Sequence, residues 1–154
     1  WLALAVYRNQ IEDYEGAREI WEFIVTVDPA KRLIAKGNLA NLYHYQLRDF
    51  TQAETYLKEI IQEAPGNSRA YMDLFDLYSL SYTEKAYLAE GVLLEALESK
   101  PKDVDFMVAL ANFYKEQGNA EGAIEWYTKA SEETKKMGDL ELSGVFQSEA
   151  DNLK

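Results

Sequence analysis

The residues able to do chemistry are few, and their spacing assembles no reaction centre. Histidine occurs once, at His44, and cysteine does not occur. Disulfides, thiolate zinc sites and Cys/His nucleophile pairs are thereby excluded. A serine triad needs a histidine oriented by a carboxylate, and His44 lies within a helical pattern that marks it as a groove or interface residue. The phosphate-cradling GxGxxG and GxxxxGKS/T loops, the zinc-binding HExxH helix and the GxSxG nucleophile turn are all missing. Carboxylates are paired at Asp73/Asp76 and Glu132/Glu133. Acid–base work needs such a pair in a concave, partly dry site that splits the two pKa values, so these read as solvated helix faces. Asp73 and Asp76 stay of interest because the helical pattern turns them to an inner surface. The 11 tyrosines and 3 tryptophans sit mostly at apolar anchor positions and read as packing residues. No catalytic residue, metal site or cofactor is expected.

The elements that must carry these side chains are legible in VALANFYKEQGNAEGAIEWYTKAS, Val108 to Ser131. Leu110, Ala111 and Tyr114 recur at helical spacing, Gly118 and Asn119 interrupt, and Ala123, Tyr127 and Ala130 resume. Glycine tolerates the positive φ of a helix end, and asparagine then caps the next helix. The same hairpin recurs upstream. Its small second-helix residue falls at Ala17, Ala53, Ala89 and Ala123, spaced by 36, 36 and 34. Four residues on lie Trp21, Leu57, Leu93 and Tyr127, and three beyond those Ile24, Ile60, Ala96 and Ala130. Pro29, Pro65 and Pro101 end three of the units in phase. First-helix anchors are Leu4/Ala5, Leu39/Ala40/Tyr43, Leu74/Phe75/Tyr78 and Leu110/Ala111/Tyr114, with Arg8 where the first unit should carry tyrosine. From tyrosine to alanine anchor the fourth unit counts 9 residues, the second 10 and the third 11. The additional residues are expected in longer, exposed turns at 47–49 and 79–83. A last helix over 139–153, with an apolar stripe of Leu142, Phe146, Ala150 and Leu153, reads as a cap with a polar outer face.

Leu-Ala-x-x-Tyr, Gly-Asn and Ala-x-x-x-Tyr-x-x-Ala in phase resemble the tetratricopeptide repeat (TPR) family. The resemblance spans the chain. It implies an all-α, right-handed superhelical solenoid of antiparallel helical hairpins, a single domain over 1–154. Its repeats would cover about 1–29, 30–65, 66–101 and 102–136, followed by the capping helix 139–153. In that family the first helices line a concave groove that binds peptides or folded partners. Carried onto this chain, the groove comprises Ile34, Asn38, Asn41, His44 and Tyr45, then Arg69, Met72, Asp73 and Asp76, then Asn112 and Lys115. A carboxylate clamp of the chaperone-tail type is not expected. Asn38 and Arg69 suit it, but Leu2, Val6 and Asp73 stand where basic or polar residues are needed.

The expected function is therefore a non-catalytic scaffold that binds a peptide or protein partner. Three other readings stay open: a self-associating assembly module, an accessory domain cut from a larger membrane-anchored or enzymatic protein, and, last, an enzyme in its own right. A net charge of −11 disfavours nucleic acid and anionic membranes, which are bound by basic surfaces. No run of about 18 apolar residues is present to span a bilayer, so no direct membrane insertion is expected. Compartment is not legible. WLALAVY, Trp1 to Tyr7, begins as helix interior without a cap, which is expected of a trimmed fragment whose apolar N-terminal edge self-associates.

Overall fold

The computed structural model describes residues 1–154 and contains nine α-helices and no strand. They are α1 Leu2–Gln10, α2 Tyr14–Val27, α3 Arg32–Asn41, α4 Phe50–Glu63, α5 Ser68–Asp76, α6 Ala89–Ser99, α7 Val104–Glu116, α8 Ala120–Met137 and α9 Leu140–Asp151. Two compact units result, Trp1–Ala89 and Glu90–Lys154.

Local chemistry sets the helix boundaries. Asp13, Asp49, Asn67, Asp103, Asn119 and Asp139 each cap a helix by accepting the backbone N–H three residues on. Gly118 and Gly138 take φ of +72° and +89° at helix ends, a backbone glycine adopts freely. Before Pro29 and Pro65, Asp28 and Ala64 have left helical geometry (φ −127°, ψ 88°; φ −140°, ψ 77°), as the proline ring requires of its predecessor.

In the first unit α1/α2 and α3/α4 form antiparallel hairpins, with α5 against α4. The expected register holds: Ala5, Ala17, Ala40 and Ala53 are buried to within 1%, with Trp21, Ile24, Leu39, Leu57, Ile60, Leu74 and Tyr78 packed beside them. Leu4 departs from it and lies exposed. Arg8 occupies the missing tyrosine's place by other means. Its guanidinium is 2.6 Å from Asp13 Oδ2 while Asp13 Oδ1 accepts the Gly16 N–H at 3.0 Å, and the bare Cα of Gly16 makes the room. Tyr114 uses Gly122 in the same way in the second unit.

The turns differ from expectation. The additional residues of the second and third repeats are wound into π-helical turns, Leu42–Leu47 and Leu77–Ser81. Widening the helix keeps Tyr43 and Tyr78 buried and shortens the loop, as Arg48 reverses the chain in left-handed geometry (φ 56°). A 3₁₀ segment over Thr83–Leu88 leads into α6.

In the second unit α8 packs on α7 and α9, burying Ala111, Ala123, Tyr127 and Ala150 against Phe146 and Leu153. The buried stripe of α9 includes Ser143 rather than Leu142, which is exposed. Ser131 Oγ donates to the Ser143 carbonyl at 2.9 Å and meets its Oγ at 3.0 Å, so two small hydroxyls close the α8–α9 crossing. The outer face of α9 is less polar than expected, since Leu140 and Val145 are exposed.

Candidate functional site

Within the first unit a groove runs over the faces of α1, α3 and α5. One lobe of about 330 Å³ is lined by Ile34, Gly37, Asn38, Asn41, Arg69 and Asp73, with Leu57 and Ile60 beneath. A second, of about 240 Å³, is lined by Val6, Asn9, Asn38, Asn41, Tyr45 and Gln46. Asn38 and Asn41 line both lobes. The spacing of 34, 37, 38, 41 and 45 is that of one helix face, and the π turn carries the face on to Tyr45. Asn38 Nδ2 donates to the Ile34 carbonyl at 2.8 Å. Gly37 presents bare backbone to the groove, and nothing lies within 4 Å of where its Cβ would stand.

The polar end of the groove is set by α5. Arg69 Nε donates to Asp73 Oδ1 at 2.7 Å, which raises the guanidinium pKa further, and Asp73 is buried. Asp76, one turn on, is half-buried with no hydrogen bond or ion pair; burial and the Asp73 charge raise its pKa. Burial raises the Tyr45 phenol, and so do the charges of Asp76 and Asp73. The Tyr45 ring stacks on His44 at 4.0 Å and is 52% exposed.

The structure thus brings Ile34, Asn38, Asn41, Tyr45, Arg69 and Asp73 to one groove, with Asp76 beside its polar end. Met72, half-buried on α5, is not among the groove's lining. His44 is buried: its Nε2 meets Ser81 Oγ at 2.8 Å, Phe50 abuts its edge, and burial lowers its pKa. It supports the Tyr45 ring from below. Asn112 and Lys115 belong to the second unit. There Asn112 Oδ1 accepts the Tyr127 hydroxyl, and Lys115 pairs with Glu149 of α9 at 2.8 Å. Asn112 is thus tied to α8 and Lys115 to α9. Sequence reasoning missed Gly37, Asn9 and Gln46. Gly37 was legible as a glycine inside a helical pattern, which needs a reason.

The remaining charges are arranged structurally. Lys36 is buried between Glu59 and Glu63 at 2.5 and 2.6 Å, and those partners outweigh burial in raising its pKa. Glu54 receives Lys58 at 2.6 Å and the Tyr78 hydroxyl at 2.8 Å, with Lys85 as a third partner. No group of three metal-ligating side chains is present, and no helix is long and apolar enough to cross a membrane.

Tetratricopeptide repeat family patterns match residues 35–67 and 92–125. The first covers α3 and α4; the second begins in α6 and ends in α8, a frame shifted by one helix from the 102–136 unit. A crystal structure of MamA is similar at 16% identity, covering 97% of this chain and 94% of that one, with a TM-score of 0.61. A second MamA structure gives 16% identity, 99% and 88% coverage and a TM-score of 0.62. A thermophilic TPR protein of Thermus thermophilus gives 21% identity, 97% and 87% coverage and a TM-score of 0.57. At these identities the likeness is one of fold. The chain therefore carries tetratricopeptide repeats, matched in sequence at two places, on a helical-hairpin fold shared with solved tetratricopeptide repeat proteins, and domains of this type are generally protein-interaction scaffolds.

Proposed function

We propose that residues 1–154 act as one non-catalytic interaction domain that holds an extended segment of a protein partner in the groove of the first unit. The observation that carries this reading is the two-lobed groove joined at Asn38 and Asn41. Amide side chains can donate to and accept from a peptide backbone whatever its sequence. The bare backbone at Gly37 lets a strand approach α3 closely, and Ile34, Leu57 and Ile60 supply apolar contact beside it. Such a site spends much of its contact energy on ordering a flexible peptide, so modest affinity is expected.

Gly37→Gln tests the reading without disturbing the fold, because the added side chain enters open space and glutamine is a good helix former. Gly91→Gln is the matched control, since Gly91 of α6 also has nothing within 4 Å of its Cβ position. Proteins retained from the native lysate by the parent and the control, and lost by Gly37→Gln, are the expected outcome. Equal recovery by all three rules the groove out as the binding surface.

A second reading is self-association at the N-terminal edge. It is favoured by Trp1, Tyr7, Ile11, Phe23 and Val27, all exposed on α1, α2 and the turn between them, where Trp1 and Phe23 meet edge-on at 5.2 Å.

A further inference from the structure

Resting on the groove reading above, we propose that the peptide it takes carries an arginine or lysine side chain, which lodges between the outer face of the Tyr45 ring and the carboxylates of Asp73 and Asp76. Three features of the polar end lead there. The first is an imbalance of charge. The carboxylates of Glu54 and Glu63, and those of Asp13, Asp28 and Glu149, are each met by a lysine or arginine. At the groove's polar end one cation, Arg69, faces two carboxylates and is already bound to Asp73. Asp76 is left half-buried without a hydrogen bond or ion pair. A partly desolvated carboxylate in that state gains most from an incoming cation.

The second feature is aromatic. His44 supports one face of Tyr45 at 4.0 Å and is itself held by Ser81, so the ring is fixed while half of its surface stays open. A fixed, open phenol ring flanked by carboxylates attracts a guanidinium or ammonium through its negative π face. Tyr45 and Asp73 line the two lobes that meet at Asn38 and Asn41, and Asp76 lies one turn beyond Asp73 on α5; burial, and then the charges of Asp76 and Asp73, raise the phenol pKa. The third feature excludes the opposite charge. Arg69 is the cation of the groove lining and its charge is neutralised by Asp73, so an acidic or phosphorylated segment would meet net negative potential.

The test is an NMR titration of the ¹⁵N-labelled chain with the acetylated, amidated peptide Ala-Leu-Arg-Leu-Ala, and with the same peptide carrying citrulline, the neutral isostere of arginine. The arginine peptide is expected to shift the amides of Asn41, Tyr45, Asp73 and Asp76 and to bind roughly tenfold more tightly than the citrulline peptide. Asp76→Asn and Tyr45→Leu should each shrink that ratio, while Glu132→Gln on α8 leaves it unchanged. Thermal melts of the variants show that the fold is kept. Equal binding of both peptides at these amides overturns the cationic subsite and leaves the groove reading standing. Shifts from neither peptide, or shifts outside these residues, also overturn the subsite, and the Gly37→Gln experiment judges the groove separately.

Discussion

A tyrosine and a glutamate one helix back recur as the hydrogen-bonded pair that ties successive hairpins. Tyr43 donates to Glu22 at 3.2 Å, Tyr78 to Glu54 at 2.8 Å and Tyr114 to Glu90. Tyr43 and Tyr114 are pushed up to about 12; burial leads at Tyr43, ahead of the Glu22 charge and bond, and the Glu90 bond leads at Tyr114. Glu54 is the most demanding case. Burial would raise its pKa, but Lys58, Lys85 and Tyr78 together lower it from 4.5 to about 2. A carboxylate lowered on folding contributes stability that is present above its unfolded pKa and is lost as pH falls through the folded one. Between pH 4.5 and 2 the chain should therefore lose stability on the order of 2–3 kcal/mol from this group. Denaturant melts across that window should show Glu54→Gln to be less stable at neutral pH and flatter in its pH response. Two glycines make a second contrast. Gly37→Ala should stabilise by about 0.5–1 kcal/mol, because helix propensity improves and nothing obstructs the methyl group. Gly122→Ala gains the same propensity, but its Cβ would stand 2.9 Å from the Tyr114 ring. Overpacking costs about 1–3 kcal/mol, so the sign reverses and thermal melts should separate the two variants.

Among the elements, the fold depends on where each helix stops. Asx caps start the helices and in-phase prolines end them, close to where alternating apolar and turn residues place those boundaries. Asn119→Ala should cost about 1 kcal/mol in chemical denaturation, because the Gly122 N–H loses its acceptor and α8 must start without one. Ala123→Leu should cost about 1–3 kcal/mol, since Ala123 is fully buried where α7 and α8 approach closely. The additional residues in the second and third repeats were legible as a count and not as a conformation. A 10- or 11-residue span between anchors can be closed by a longer loop or by a wide turn. The wide turn wins because it keeps Tyr43 and Tyr78 in the core and most of the local backbone bonded within the helix. The cap helix was legible as amphipathic, yet Ser143 and Leu142 lie at adjacent positions on the rim of one stripe. Only the close α8–α9 crossing, with room for a hydroxyl pair and not for a leucine, selects the serine.

At the scale of the whole molecule, a net charge of −11 coexists with apolar residues left exposed on α1 and α2. If these meet a second copy, light scattering over a concentration series should show a rising mass that Trp1→Ser and Phe23→Ser together abolish. A constant monomer mass at high concentration rules that reading out. Added salt should strengthen such association by screening the like charges of the two copies.

What the sequence determined by itself was the type of element and the phase and kind of the repeat, because each rests on spacing: 3.6-residue periodicity, alanines 34 to 36 apart and prolines in step. The inner face of the first unit was legible in the same way, since Ile34, Asn38, Asn41 and Tyr45 share one side of a helix. Tertiary structure alone decided which of the polar residues on that side remain available. His44 occupies a position as suitable as those of its neighbours, yet it is enclosed by Ser81 and Phe50. Asn112 and Lys115 are likewise held by Tyr127 and Glu149. Periodicity reports the direction in which a side chain leaves its helix, whereas the partner that meets it comes from residues distant in the chain, and their approach is set by packing.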